Sequence, residues 1–159
     1  HGLMPLRYFI SRHGSATDDV DFTWDKYEAS YNELANDLGN LVQRLSTLCG
    51  KNGVKSLKVQ EVEFADFIER MDKYEFNAAF EIIWGKIQDL NKRIDEEKPW
   101  SLAKTDPEKA VEVLTSLSQD LINLCPYLAI FIPDTAEQIE AVFTAEQIAA
   151  PKTPLFPKN

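Results

Sequence analysis

Residues 24–48 read WDKYEASYNELANDLGNLVQRLSTL, and one periodicity runs through them. Tyr27, Tyr31, Leu34, Leu38, Leu41, Leu45 and Leu48 follow one another at alternating intervals of four and three residues. At about 100° of rotation per residue, that spacing lays an apolar seam along one face of a helix. The ends are signalled as well. Thr23 fits an N-cap, with Phe22 and Tyr27 placed as a hydrophobic staple across it. Gly50 and Gly53 are expected to close the helix. A helix with one apolar face must bury it against elements of the same kind.

Those elements come later in the chain. Phe76, Phe80, Ile83, Ile87, Leu90 and Ile94 repeat the alternation, as do Ala110, Leu114, Leu117, Leu121 and Leu124. A shorter stripe is Phe64, Phe67, Ile68 and Met71. Asp106 followed by Pro107 predicts an N-cap with proline in the first turn, and Asp134 with Glu137 predicts another N-cap. Residues 4–12 predict a helix closed by Gly14, and an acidic loop runs through Asp18, Asp19 and Asp21. Lys55 to Val62 is the nearest thing to a strand and is read as a loop. The fold class is therefore all-α, an antiparallel helix bundle. Its expected organisation is a connection over 1–22, the bundle over 23–150 and an extended proline-bearing tail over 151–159. If the helix from Trp24 runs down and the short one near Phe67 returns, the helix from Glu75 runs down again. Asn40, Arg44 and the segment around Trp100 then gather at one end.

The chain has 159 residues, 44% hydrophobic and 27% charged, which suits one soluble domain. At that length roughly 70% of the unfolded chain's surface is buried, so no disulfide or metal is needed. The net charge of -9 weighs against nucleic-acid binding, because phosphate contacts need basic groups. Cys49 and Cys125 form no Cys-x-x-Cys motif and with two histidines make no zinc pattern; they read as buried thiols in a reducing compartment. The longest apolar stretch, 121–132, contains Asn123 and Pro126 and is too short to span a bilayer.

No nucleophile elbow, phosphate loop, dinucleotide fingerprint or metal-binding helix occurs. The carboxylates fall on expected solvent faces, and His13-Gly14 reads as helix punctuation. Three other residues stand out. Asn40 and Arg44 are four apart, hence neighbours on one helix face, nearly opposite the Leu38, Leu41, Leu45 seam. No carboxylate lies three or four residues from Arg44, whereas Lys92 has Asp89 and Asp95 and Arg93 has Asp89 and Glu96. Arg44 is thus expected to be available to an external partner. Asn40 and Arg44 read either as an ordinary exposed pair or as side chains able to make paired hydrogen bonds to base edges. Trp100, stiffened by Pro99, is either an aromatic cap or a platform for an unstacked base. Trp84 lies on the Phe80, Ile83, Ile87 seam and reads as core. Trp24 is placed to pack locally.

These residues sit in segments that resemble methionyl-tRNA synthetases. Leu38-Gly39-Asn40-Leu41-Val42-Gln43-Arg44 is similar to that family's anticodon-reading helix, and Glu97-Lys98-Pro99-Trp100-Ser101-Leu102-Ala103-Lys104 to its Pro-Trp turn. Tyr74 to Phe80 and Asn91 to Asp95 resemble the intervening helix. Leu6-Arg7-Tyr8-Phe9 resembles the connection leaving the catalytic domain, and Pro154-Leu155-Phe156-Pro157-Lys158 the end of the common core. The resemblance covers nearly the whole chain in order. It implies the anticodon-binding bundle of a class I synthetase, and a parent enzyme that joins methionine to tRNA using ATP in the cytoplasm. It implies a tRNA anticodon loop and the enzyme's own catalytic domain as partners, no membrane, and no cofactor held by this stretch. Trp100 would stack on the first base of a CAU anticodon, Asn40 and Arg44 would hydrogen-bond its bases, and Pro99 would position Trp100. The family's His-Ile-Gly-His and Lys-Met-Ser-Lys-Ser catalytic signatures do not occur here. The rival expectations are a protein-interaction module that kept the fold and the equivalent domain of another class I synthetase.

Overall fold

The structure, a computed structural model, describes residues 2–14 and 19–157. Asp18 of the acidic loop and Lys158 of the C-terminal motif lie outside the described residues. Helix α1 spans Leu3–His13 and α2 spans Trp24–Leu34. A π-helical segment, Ala35–Gly39, joins α2 to α3, Asn40–Asn52. Then come α4 (Ala65–Asp72), α5 (Phe76–Glu97), α6 (Pro99–Thr105), α7 (Pro107–Asn123), α8 (Cys125–Phe131) and α9 (Pro133–Thr144). No strand occurs among the described residues; Lys55 and Gln147 form one isolated antiparallel bridge. The all-α bundle expected from the seams is the fold observed.

The local signals act mostly as expected. Thr23 accepts from the Lys26 amide, and the Phe22 and Tyr27 rings lie 6.0 Å apart in the staple. Asp106 accepts from the Lys109 amide, and Pro107 opens α7, where a missing N–H costs nothing. Two boundaries differ. Gly50 does not end α3, which runs on to Asn52 and is capped by Gly53 at φ 69. A Cβ at Gly50 would lie 2.6 Å from Ile148 O, so its glycine serves the close approach of another segment. Asp134 is not an N-cap either; α9 starts one residue earlier at Pro133, leaving Asp134 in the first turn beside the helix dipole.

The core is continuous across the layers. Tyr8, Phe80 and Trp84 are fully buried together, the Tyr8 ring 5.5 Å from Phe80 and 4.8 Å from Trp84. Trp84 is thus core, whereas Trp24 is 72% exposed and packs on Phe22 and Tyr27. Helix α1 is fastened twice more. Arg7 donates to Phe131 O at 2.6 Å and to Ile130 O, caring for the last carbonyls of α8, and Arg12 pairs with Glu33 of α2 and Glu81 of α5. The segment before α4 is irregular yet well held: Gln60 N–H donates to Asn123 Oδ1, Leu57 N–H to Phe143 O and Tyr127 Oη–H to Val62 O. Beyond α9 the chain turns back along α3. Ile148 meets Gly50, Phe156 meets Gly39, and the Tyr31 hydroxyl donates to Pro157 O.

Helices α3 and α5 run the same way. Arg12 bridges Glu33 to Glu81, Asn91 reaches Asp37 O, and Arg44 reaches Asp95, so rising numbers on one helix match rising numbers on the other. The descent, return and descent inferred from the seams is therefore correct. It carries the end of α5 to the level of Arg44.

Candidate nucleic-acid interface

Helix α5 ends because Lys98 precedes a proline. The Pro99 ring disfavours the α conformation for the residue before it. Lys98 takes φ 45, ψ 56, a left-handed conformation that is rare for a residue with a Cβ. It closes α5, donating its N–H to Ile94 O, and opens α6. Pro99 and Trp100 are then the first two residues of α6 rather than part of a loop. Pro99 is buried while Trp100 keeps 39% of its surface exposed. The turn thus anchors the ring of one residue in the bundle and presents the ring of the next.

Arg44 lies against that presented ring. Its guanidinium carbon is 5.5 Å from the centre of the Trp100 ring, inside the range of a cation–π contact. Asn40, one turn earlier, is exposed, and its side chain has no partner among the described residues. Side chains as far apart in sequence as Arg44 and Trp100 therefore meet, with buried Pro99 next to Trp100 in the chain and Asn40 one turn from Arg44.

One expectation is corrected. Arg44 is not free: its Nη2 donates to Asp95 Oδ1 at 2.6 Å, and Arg44 is 29% exposed against 63% for Asp95. Positions three and four residues along α3 hold no carboxylate, but α5 supplies one from across the bundle. Parallel travel of the two helices was the signal that could have located it. Lys92 and Arg93 likewise find partners other than those first in reach. Lys92 lies 3.8 Å from Glu96, and Arg93 pairs with Glu97 and with Asp120 of α7. The hydrogen bond that Arg93 donates to the Asp120 carboxylate is the largest cause of an Arg93 pKa raised above the ordinary value. Sequence patterning misses Lys98 and Asn91 as well; a left-handed lysine leaves no trace in it.

The arrangement offers an exposed indole, a stacked guanidinium with one carboxylate partner, and an unpartnered carboxamide. These are groups for binding planar, hydrogen-bonding rings rather than for bond-making. Cys49 and Cys125 are buried and free, and burial raises both thiols, to about 11 and about 12, away from nucleophilic use. Among the described residues no group of three or more His, Cys, Asp or Glu side chains is placed to hold a metal ion. Nor is any described helix long and apolar enough to cross a membrane.

Comparison with known proteins meets this geometry from outside. Residues 49–154 match the family described as the anticodon binding domain of methionyl tRNA ligase, and residues 3–46 match class I (M) tRNA synthetases. The two matches meet inside α3. A methionine–tRNA ligase of Fusobacterium nucleatum subsp. nucleatum is 34% identical over 87% of this chain and 24% of its own length. That of Streptococcus pyogenes serotype M1 is 30% identical over 99% of this chain and 29% of its own. The chain thus spans about a quarter of the curated relatives it matches. The free form of Mycobacterium tuberculosis methionyl-tRNA synthetase superposes with a TM-score of 0.79 over 98% of this chain and 38% of that one, at 23% identity. A second structure of that enzyme, with methionyl-adenylate, gives 0.74 at 24% identity. Both show the same fold.

Proposed function

Because the chain belongs to the methionyl-tRNA ligase family, matching its anticodon-binding domain, we propose that it selects methionine tRNA by its CAU anticodon. In this reading Trp100 stacks on the first anticodon base. Asn40 and Arg44 hydrogen-bond base edges, and Pro99 sets the position of the indole. The observation that carries the reading is the meeting of Arg44 and Trp100 at 5.5 Å beside the exposed Asn40. A base stacking on the exposed indole would meet the Arg44 and Asn40 side chains close by, the combination of stacking and hydrogen bonding by which single-stranded RNA is read.

Joining methionine to tRNA with ATP would be the work of residues outside this stretch, and no residue here is assigned to ATP. We take residues 1–22 as the connection to that catalytic part, residues 23–150 as the helical unit and 151–159 as the tail. The partners are then the anticodon loop and the catalytic part, and the place of action the cytoplasm. A second reading, a protein-interaction module that kept the fold, is favoured by the net charge of -9 and by the Arg44–Asp95 pair.

Titration with anticodon stem-loops carrying CAU or a single-base variant, at low and physiological salt, separates the two. The expected result is preference for CAU at both salts. Equal binding to all loops, persisting when the chain is joined to a catalytic domain of the family, would leave the interaction module.

A further inference from the structure

The reading pair begins where the π segment ends. Asn40 donates its backbone N–H to Ala35 O, five residues back rather than four. A π turn is wider than an α turn, so the helix beyond it emerges rotated from the course of an uninterrupted one. The rotation shows in which side chains α3 buries: Leu41, Val42, Leu45, Ser46 and Cys49, with Leu48 of the sequence seam only half-buried. The buried stripe has moved toward Val42 and Ser46. At about 100° per residue, that places Asn40 at the point of α3 furthest from the core and Arg44 on the shoulder toward α5.

Such segments are rare, and contacts from elsewhere hold this one. Asn91, half-buried on α5, donates Nδ2–H to Asp37 O at 3.0 Å and to Ile87 O of its own helix at 3.2 Å. Asp37 is central in the π segment, so a side chain of α5 grips its backbone directly. One turn further along the same helix, Asp95 grips Arg44.

We propose that Asn91 is a positioning residue for anticodon reading, its carboxamide fixing the π segment and with it the direction in which Asn40 and Arg44 face an RNA. This role rests on the proposed reading of bases by Asn40 and Arg44. The chemistry is specific, because a carbonyl oxygen needs a donor. Aspartate has the same shape as asparagine, and its ionised carboxylate can only accept.

The test uses the 159-residue chain with Asn91→Asp, Asn91→Ala and, as a separate arm, Asn40→Ala. Each is measured by residue-resolved amide exchange and by titration with CAU and single-base-variant stem-loops. Both Asn91 variants are expected to speed exchange at Asn40 and Leu41, and to lower the CAU preference, by about tenfold each, with amides near Cys49 unchanged. Unchanged exchange at Asn40 overturns the proposal. So does faster exchange with CAU preference intact while Asn40→Ala reduces it. If Asn40→Ala leaves the preference untouched, the site reading fails first and the positioning role falls with it. An Asn91→Ala chain that no longer folds would make the carboxamide a determinant of the fold instead.

Discussion

At the scale of single residues, the site is a competition for Arg44. Its guanidinium is shared between the Trp100 ring and the Asp95 carboxylate, and only the ring serves recognition in the proposed function. An exposed ion pair contributes about 0–1 kcal/mol to stability, so releasing Arg44 costs the fold little. Asp95→Asn should leave the melting temperature near that of the parent. It should tighten stem-loop binding at every salt concentration and widen the preference for CAU over single-base variants, as expected of a guanidinium freed to reach base edges. A filter-binding salt series checks this; weaker binding would mean that Asp95 orients Arg44 rather than restrains it. Trp100 makes the complementary case. It stands outside the cluster of buried core residues, with 39% of its surface exposed. Trp100→Ala should weaken CAU binding by about 1–3 kcal/mol while circular dichroism and melting stay close to wild type. A large drop in melting temperature would make Trp100 a structural cap.

At the scale of elements, two glycines of one long helical run are placed for another segment's approach. A Cβ at Gly39 would stand 3.0 Å from the Phe156 ring, and one at Gly50 would stand 2.6 Å from Ile148 O. Sequence propensity treats both as weak points, since alanine inside a helix is favoured over glycine by about 1 kcal/mol. The structure reverses the sign at Gly50, where the obstacle is backbone and cannot swing aside. Gly50→Ala should therefore destabilise the chain by about 1–3 kcal/mol, as overpacking does, with an unchanged denaturant slope. Urea unfolding measures it, and a stabilised variant would show that the returning C-terminal segment gives way easily. Leu38, Leu41 and Leu45 of the seam are fully buried as predicted, while Leu48 lies at the edge of a buried face that also takes in Val42 and Ser46. The π segment shifts the buried stripe, and nothing in the 24–48 pattern marks the shift.

At the scale of the whole molecule, burial governs the two thiols. Cys49 and Cys125 both have pKa values raised by desolvation, to about 11 and about 12. In the native state they hold protons that the unfolded chain releases near the usual thiol value, so stability is full below that value. It should fall as pH rises from 9.0 toward about 11 and about 12. Chemical denaturation across that window checks the sign. At neutral pH, thiol-specific labelling should proceed only at the rate of unfolding and accelerate with urea; rapid labelling of the native chain would show that these sites open locally.

Periodicity and local chain chemistry are the part of this protein that the sequence determined by itself. The seams gave the helices and the all-α bundle, Thr23 and Asp106 gave caps, and Trp84 declared itself core by its place on a seam. The alternation of descents placed Arg44 and Trp100 at one end, and the family resemblance named Asn40, Arg44, Pro99 and Trp100 together. Only the tertiary structure decided the partnerships between helices: Asp95 on Arg44, Asn91 on the Asp37 carbonyl, Phe156 against Gly39. The physical reason is one of range. Seams and caps arise from neighbours within a turn or two, which a linear pattern records. The charge, donor or ring that answers a side chain across the bundle depends on the rotation and height of another helix, and a turn that winds five residues instead of four is enough to change both.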